Sequence, residues 1–249
     1  MQRTEDSPFK RLWLWMLWPM AIMQLGIFRD YWGDFADNTW AVHVHYWLVT
    51  LWFLFLITQP RLYAKGRLQS HRSWGLVGLM IAGATAFTGI NQLNRDLVYA
   101  NFVRDNPGQI GPFEPWFFYG IMCVEIILVS AFLLAVLMAI RHRKNLRDHA
   151  LWLTSTAFIM LMPALGRGIQ GLWIARYGFT PETTIVVMPP LYMTQLLIIG
   201  LILTFAWRLR ALTHPATLLA LGANGCAFLL EPMGRSVTLQ TLLSTLVKA

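Results

Sequence analysis

Seven long apolar stretches make up most of the chain, and they restrict its fold more than any other feature. In the lipid interior every backbone N–H and C=O group must be satisfied within the protein, so apolar segments of about 20 residues cross a bilayer as α-helices. The pattern predicts an all-α, polytopic transmembrane bundle that forms one domain over residues 1–249. We expect about seven helices, or six if the last stretch is interfacial. The predicted spans are residues 12–28, 40–58, 74–92, 115–140, 150–174, 185–207 and 215–230.

The charge content agrees with a membrane protein. Only 13% of the residues are charged, whereas about a quarter are charged in an average soluble domain. The net charge of +8 comes from basic residues in short loops between the apolar stretches, a pattern typical of membrane topology signals. We therefore expect the lipid bilayer as a partner and no nucleic acid. Both cysteines, Cys123 and Cys226, fall inside apolar stretches, so no disulfide framework is indicated.

The basic loops predict the orientation of the chain. With a cytoplasmic N-terminus, 13 of the 20 Lys and Arg residues fall in cytoplasmic segments and 6 in outer ones, with Arg167 inside a span. The positive-inside rule therefore predicts a cytoplasmic N-terminus and, with seven spans, an external C-terminus. The first span contains tryptophans and lacks a small-residue cleavage site, so we expect an uncleaved anchor. Helix kinks are predicted at the prolines within the spans: Pro19, Pro163, Pro189 and Pro190.

Polar side chains inside the spans collect in the predicted outer half of the membrane. Such groups are costly in lipid, so they usually face the bundle interior and pair with one another. Glu125 and Arg167 are the predicted ion pair of a ligand pocket that opens to the outside. His43 and His45 point to nearly opposite helix faces, and we expect His45 to face the pocket. The other predicted pocket residues are Gln24, Asn91, Gln92, Gln170 and Gln195.

An alternative interpretation gives the same residues purely structural roles. Arg167 and His43 would then extend to the lipid headgroups, and the Gln and Asn side chains would hydrogen-bond between helices. Glu125, roughly 15 Å from the outer end of its span, would simply be protonated.

A weak internal repeat marks the opposite membrane edge. His71, Trp74 and Gln92 recur 78 residues later as His149, Trp152 and Gln170, and each histidine follows a basic loop. Neutral imidazole is a common metal and haem ligand, and helix bundles hold cofactors between facing side chains. One interpretation is that His71 and His149 bind a haem between the third and fifth spans, with His45 as an outer-side candidate ligand. The alternative is that both histidines are interfacial anchors.

Two short motifs carry a resemblance to known families. The stretch His71-Arg-Ser-Trp-Gly precedes one span, and Asp148-His149-Ala-Leu-Trp152 opens another. Together they resemble bacterial membrane families of the DUF2306 and DUF420 type over roughly residues 40–174. Members of the second family are associated with respiratory oxidase assembly. The resemblance implies a histidine-bearing bundle in a bacterial plasma (inner) membrane, linked to haem, copper or respiratory chemistry.

Motifs that are missing exclude several sharper functions. There is no His-Glu-x-x-His helix, no Gly-x-Ser-x-Gly elbow, no Walker loop and no lysine inside the last spans. These absences argue against a zincin protease, a serine hydrolase, a nucleotide-driven pump and a retinal protein. Three hypotheses remain: a cofactor-binding or respiratory-assembly protein, a small-solute carrier or receptor, and a non-catalytic scaffold subunit with a membrane-protein partner. The sequence favours the first slightly over the second, and leans against an enzyme.

Overall fold

The computed structural model describes residues 8–247, and within that range it contains helices and no strand. The helices are α1 (Leu12–Trp15), α2 (Leu17–Gly26), α3 (Trp40–Ala64), α4 (Leu68–Asp105), α5 (Pro115–Arg141), α6 (Leu146–Ile159), α7 (Met162–Tyr177), α8 (Met188–Arg208), α9 (Pro215–Gly225), α10 (Leu230–Arg235) and α11 (Val237–Leu246). Short 3₁₀ or π-helical turns cover Pro8–Arg11, Phe28–Gly33, Phe35–Asp37, Thr184–Val186 and Cys226–Leu229. Arg3 and Lys248, which enter the count of basic residues, lie outside the described residues.

Among residues 8–247, six helical segments are long and apolar enough to cross a membrane. They are Trp40–Ala64, Leu68–Asp105, Pro115–Arg141, Leu146–Tyr177, Thr184–Arg208 and Pro215–Arg235. The predicted all-α, multi-pass bundle is therefore confirmed. The segment at the predicted seventh span is among the six, whereas the first predicted span is a shorter apolar helix, Leu12–Gly26. A π-helical turn, Phe28–Gly33, follows it almost directly.

Helix α5 lies at the centre of the bundle, where α4, α6, α9 and α10 pack against it. Its alanines allow this close packing, since Ala135 and Ala139 are fully buried. The outward faces carry large apolar side chains, such as Trp40 at 80% exposure and Met80 at 76%. Exposed apolar side chains on this scale are typical of surfaces that contact lipid. The helix faces therefore agree with the hydropathy pattern.

Two of the four prolines predicted to kink helices lie at breaks between helices, and the other two lie at the start of a helix. The fifth predicted span divides into α6 and α7, with Pro163 in the first turn of α7. Pro19 similarly lies in the first turn of α2, just after the break from α1. Pro189 and Pro190 occupy the first turn of α8 instead of kinking it. A proline costs little there because the first N–H groups of a helix have no intrahelical partner.

Helix α4 is much longer than predicted. It continues from the expected end at Gln92 to Asp105, so Arg95 and Asp96 belong to a helix and not to an outer loop. Asp96 is only 3% exposed. The charged residues lower the local hydropathy, but their side chains face the protein, so the helix has no reason to end there.

Helices α2 and α7 touch backbone to backbone where they cross. A Cβ added at Gly168 in α7 would lie 2.7 Å from the Cα and O atoms of Gly26 in α2, and one added at Gly26 would lie 2.5 Å from the carbonyl oxygen of Ala164. Small residues at helix crossings allow such approaches in membrane bundles. The crossing therefore requires glycine at both positions.

Candidate functional site

Two adjoining cavities, each of about 320 Å³, lie between the helices near the end of the bundle that carries the acidic segment 27–39. The main cavity is lined by α2, α3, α4, α5, α6 and α7, and the exposed side chain of Asp30 stands at its edge. The side cavity extends between α4, α5, α7 and α8. Both share the side chains of Arg95, Tyr99, Glu125, Pro163 and Arg167. Volumes of this size are typical of small-molecule sites.

Four charged residues form the wall between the cavities, and we call Arg95, Asp96, Glu125 and Arg167 the charged wall. Arg95 and Asp96 pair directly, since Arg95 Nε and Nη2 donate to Asp96 Oδ1 at 3.1 and 2.9 Å. Both come from the part of α4 beyond its expected end. This pair was not predicted, because the residues were assigned to a loop.

The predicted ion pair, Glu125 and Arg167, lines both cavities. The guanidinium nitrogens of Arg167 lie more than 4.0 Å from the carboxylate oxygens of Glu125. Arg167 makes no hydrogen bond or ion pair with any other residue in the described part of the chain. Glu125 Oε2 is buried without a donor among residues 8–247. The two groups therefore face the cavity individually, with hydrogen-bonding capacity that residues 8–247 do not use.

His45 lies in the wall of the main cavity, whereas His43 does not. The ring of His45 is 2.9 Å from Thr88 Oγ1. The Thr88 hydroxyl lies 3.0 Å from the carbonyl oxygen of Ala84, to which it donates, so it accepts from His45 Nδ1–H. In neutral His45 the lone pair is then on Nε2.

A pair of tyrosines covers the cavity beneath the acidic segment. Tyr31 and Tyr46 stack with ring centroids 3.7 Å apart, and Tyr31 shares a 2.9 Å hydrogen bond with His43 Nδ1. Burial raises the pKa of Tyr31 above its ordinary value. Tyr46 OH is buried with no partner in the described structure and lines the main cavity. His43 thus belongs to the cover and His45 to the cavity.

The predicted pocket amides divide into those at the cavities and those elsewhere. Gln92 lines the main cavity, and Gln170 lines the side cavity while donating to the Val186 carbonyl. Gln24 joins α2 to α3 through Thr50 and also accepts from Trp32, so it acts in packing. Asn91 is exposed on the outside of α4, and fully buried Gln195 lines neither cavity. Exposed and buried amides have the same hydropathy, so the sequence could not separate them.

Sequence reasoning missed Asp96, Arg95, Tyr46 and Tyr99 as cavity residues. The sequence spacing could have identified the first two, because residues at i, i+3 and i+4 share a helix face. Gln92, Arg95, Asp96 and Tyr99 follow that spacing. Extending the third span by two turns would have placed them on the inner face with Gln92.

His71 and His149 stand side by side at the other end of the bundle, each in the first turn of its helix. Their ring centroids are 6.3 Å apart and their planes meet at 85°. His149 Nδ1 donates to the Ala139 carbonyl at 2.8 Å, which leaves Nε2 as the acceptor in the neutral ring. His71 Nδ1 is buried without a partner in the described part of the protein. Neither histidine lines either cavity.

Within residues 8–247 no group of three or more His, Cys, Asp or Glu side chains is placed to hold a metal ion. Any metal bound by His71 and His149 would therefore need ligands from outside this set, or a low coordination number.

Comparison with known proteins adds no identity, since no family model, curated protein or solved structure matches the chain. Function must be inferred from the geometry.

Proposed function

We propose that the protein is a membrane carrier or receptor that binds a small anionic solute in the main cavity. The observation that carries the proposal is Arg167, a cation that faces this cavity with no partner among the described residues. A guanidinium in a membrane-spanning helix is costly unless a counter-charge accompanies it. An anionic ligand supplies that charge and accepts the free N–H groups.

The apolar part of the cavity supports a solute with a hydrophobic body. The charged and amide groups on α4 and α5 lie at Gln92, Arg95 and Glu125, whereas the residues further along the same cavity are apolar, as at Ala86 and Phe132. A molecule with an anionic end and an apolar body matches this division. Benzoate, whose neutral amide benzamide has the same shape, is a suitable probe.

The test is binding of benzoate and benzamide to the protein in nanodiscs, followed by titration calorimetry. We expect benzoate to bind more tightly, and Arg167→Gln to lower its affinity about ten- to a hundredfold, since hydrogen bonds to charged groups contribute about 1.5–3 kcal/mol. Arg176→Gln is the matched control, because Arg176 lies on the same helix but is exposed and stacks on Tyr177. Equal binding of the two probes, or an unchanged affinity in Arg167→Gln, would contradict the proposal. Benzoate flux into liposomes then distinguishes a carrier from a receptor.

A second candidate, a bound metal or haem, is favoured by the distance between His71 and His149. A metal ion bonded at about 2.0 Å to one nitrogen of each ring separates two imidazole centroids by about 6 Å when the two bonds are nearly collinear, close to the observed 6.3 Å. The hydrogen bond from His149 Nδ1 to a carbonyl is the kind that orients a metal-binding histidine. The resemblance to the DUF420 type favours the same candidate.

An absorption spectrum and metal analysis of the purified protein test this second candidate. Bound haem or metal is expected to disappear in His71→Ala and in His149→Ala, but to remain in His43→Ala, whose ring lies under the acidic segment. A colourless, metal-free protein after expression with added haem and copper counts against ligation. The two histidines are then interfacial residues that pack against each other.

A further inference from the structure

Two carboxyl groups from neighbouring helices meet in the charged wall. Asp96 accepts from Arg95 through Oδ1 alone, while Asp96 Oδ2 and Glu125 Oε2 are buried with no donor among the described residues. The Asp96 and Glu125 side chains both line the side cavity, from the packed helices α4 and α5. Two ionised carboxylates in this position repel and cannot hydrogen-bond, whereas one proton between them satisfies both oxygens.

The charges of the wall then explain why Arg167 carries an unpaired charge among the described residues. With one proton held between Asp96 and Glu125, this pair carries a single negative charge against the two positive charges of Arg95 and Arg167. Arg95 is paired with Asp96, so Arg167 is the uncompensated cation among the four residues of the charged wall. An anion bound at Arg167 restores neutrality inside the membrane, where a net charge is costly. Without the shared proton, the wall is already neutral and has less attraction for an anion.

Other titratable groups near Glu125 come from three further elements. Tyr99 lies on α4 with Arg95 and Asp96, His45 and Tyr46 lie on α3, and Asp30 and Tyr31 belong to the π-helical turn. Asp30 is exposed to solvent at the cavity edge, which screens its charge. Helices α6, α9 and α10 also pack against α5, but none of their described charged residues lines either cavity. His45 is therefore the main competing explanation for any dependence on pH near neutrality.

We propose that the solute is a monoanion with an apolar body, and that it binds together with one proton held between Asp96 and Glu125. The proposal rests on the proposed function and deepens it, because it makes anion binding proton-linked. Where the empty carboxyl pair has lost its proton, the anion and a proton enter as a neutral pair. In a carrier this pair moves without net charge, so a pH gradient drives it.

The first experiment measures the benzoate affinity of the protein in nanodiscs between about pH 6 and about pH 10. Benzoate is ionised throughout this range, as carboxylic acids are. We expect the affinity to be constant while the empty pair holds its proton, and then to fall by up to about tenfold per pH unit as that proton is lost. In the falling range, calorimetry in buffers of different ionisation enthalpy is expected to show about one proton taken up per benzoate bound.

Three variants show whether the carboxyl pair or His45 causes the dependence of benzoate affinity on pH. Glu125→Gln, with a permanently neutral amide, is expected to lose the fall in benzoate affinity at high pH. Asp96→Asn is a second variant that removes the shared proton, should Glu125→Gln not fold. His45→Gln is the matched control on the facing helix and is expected to retain the fall.

The outcomes distinguish this proposal from the proposed function. If benzoate does not bind the wild-type protein at any pH, both are overturned. If benzoate binds through Arg167 without proton uptake, or if Glu125→Gln keeps the pH dependence, the shared proton is wrong and the anion site stands. Loss of the dependence in His45→Gln alone assigns the proton to the histidine and overturns the proposal.

Discussion

The backbone crossing of α2 and α7 makes the sharpest prediction about stability, because the chain supplies a matched control on the same helix. In Gly168→Ala the new methyl group would lie 2.7 Å from the Cα and carbonyl oxygen of Gly26. Those atoms are backbone, so no side-chain rotation relieves the contact and the helices must separate. In Gly171→Ala, three residues further along α7, the methyl group meets nothing within 4 Å.

The expected difference in unfolding free energy between Gly168→Ala and Gly171→Ala follows from two contributions. Both substitutions gain roughly 1 kcal/mol of helix propensity, so this gain cancels in the comparison. Overpacking at a tight contact costs typically about 1–3 kcal/mol, and the short distance to backbone atoms places Gly168→Ala towards the upper end. We therefore expect Gly168→Ala to be about 2–3 kcal/mol less stable than Gly171→Ala.

Unfolding of both variants in mixed micelles with increasing dodecyl sulfate measures this difference. Because Arg167 immediately precedes Gly168, the same separation of the helices is expected to weaken benzoate binding in Gly168→Ala and to leave it unchanged in Gly171→Ala. Equal stability of the two variants would refute the argument that the crossing requires glycine. Equal stability with weaker binding would show instead that α7 shifts at no cost.

Two further predictions concern buried aromatic residues. Trp52 is 1% exposed and donates to Thr156 Oγ1 at 3.0 Å. Trp52→Phe is therefore expected to lower the free energy of unfolding by about 2–3 kcal/mol, through the lost hydrogen bond and the space left behind. The same unfolding assay measures this change, and a smaller loss of stability than in exposed Trp47→Phe would contradict the prediction. The pKa of Tyr31 is raised by burial, so the neutral phenol is favoured in the folded protein. The contribution of the neutral phenol to the stability of the fold is complete below about pH 10. It is lost as the pH rises towards the folded-state pKa. Stability measured from about pH 9 to about pH 11 is therefore expected to fall less in Tyr31→Phe than in wild type.

The helical bundle was predictable from hydropathy, because an apolar stretch of this length has few alternatives in lipid. The end of α4 was not, since hydropathy measures polarity and not the direction in which a side chain points. Arg95 and Asp96 reduce the mean hydropathy of their segment just as loop residues do. Only their pairing and the burial of Asp96 at 3% exposure identify them as part of the bundle interior.

The residues of the candidate site were predictable in part, but the contacts between them were not. Glu125, Arg167, Gln92 and His45 were expected in a pocket, and all four line the main cavity. Their pairing was not predictable, because it depends on how helices rotate about their axes. The Glu125–Arg167 pair suggested by composition is replaced by an Arg95–Asp96 pair that depends on the extension of α4.

The break between α6 and α7 links the proline signal in the sequence to the cavity. Pro163 has no N–H to donate to the carbonyl of Ile159, four residues earlier, so the hydrogen-bond ladder stops and α6 ends there. Ile159, Met160 and Pro163 then line the main cavity at the break. Arg167 follows Pro163 by one helical turn on the same face of α7. The residue that interrupts the helix therefore also sets the direction of the Arg167 side chain, which is why a kink predicted from sequence coincides with the candidate site.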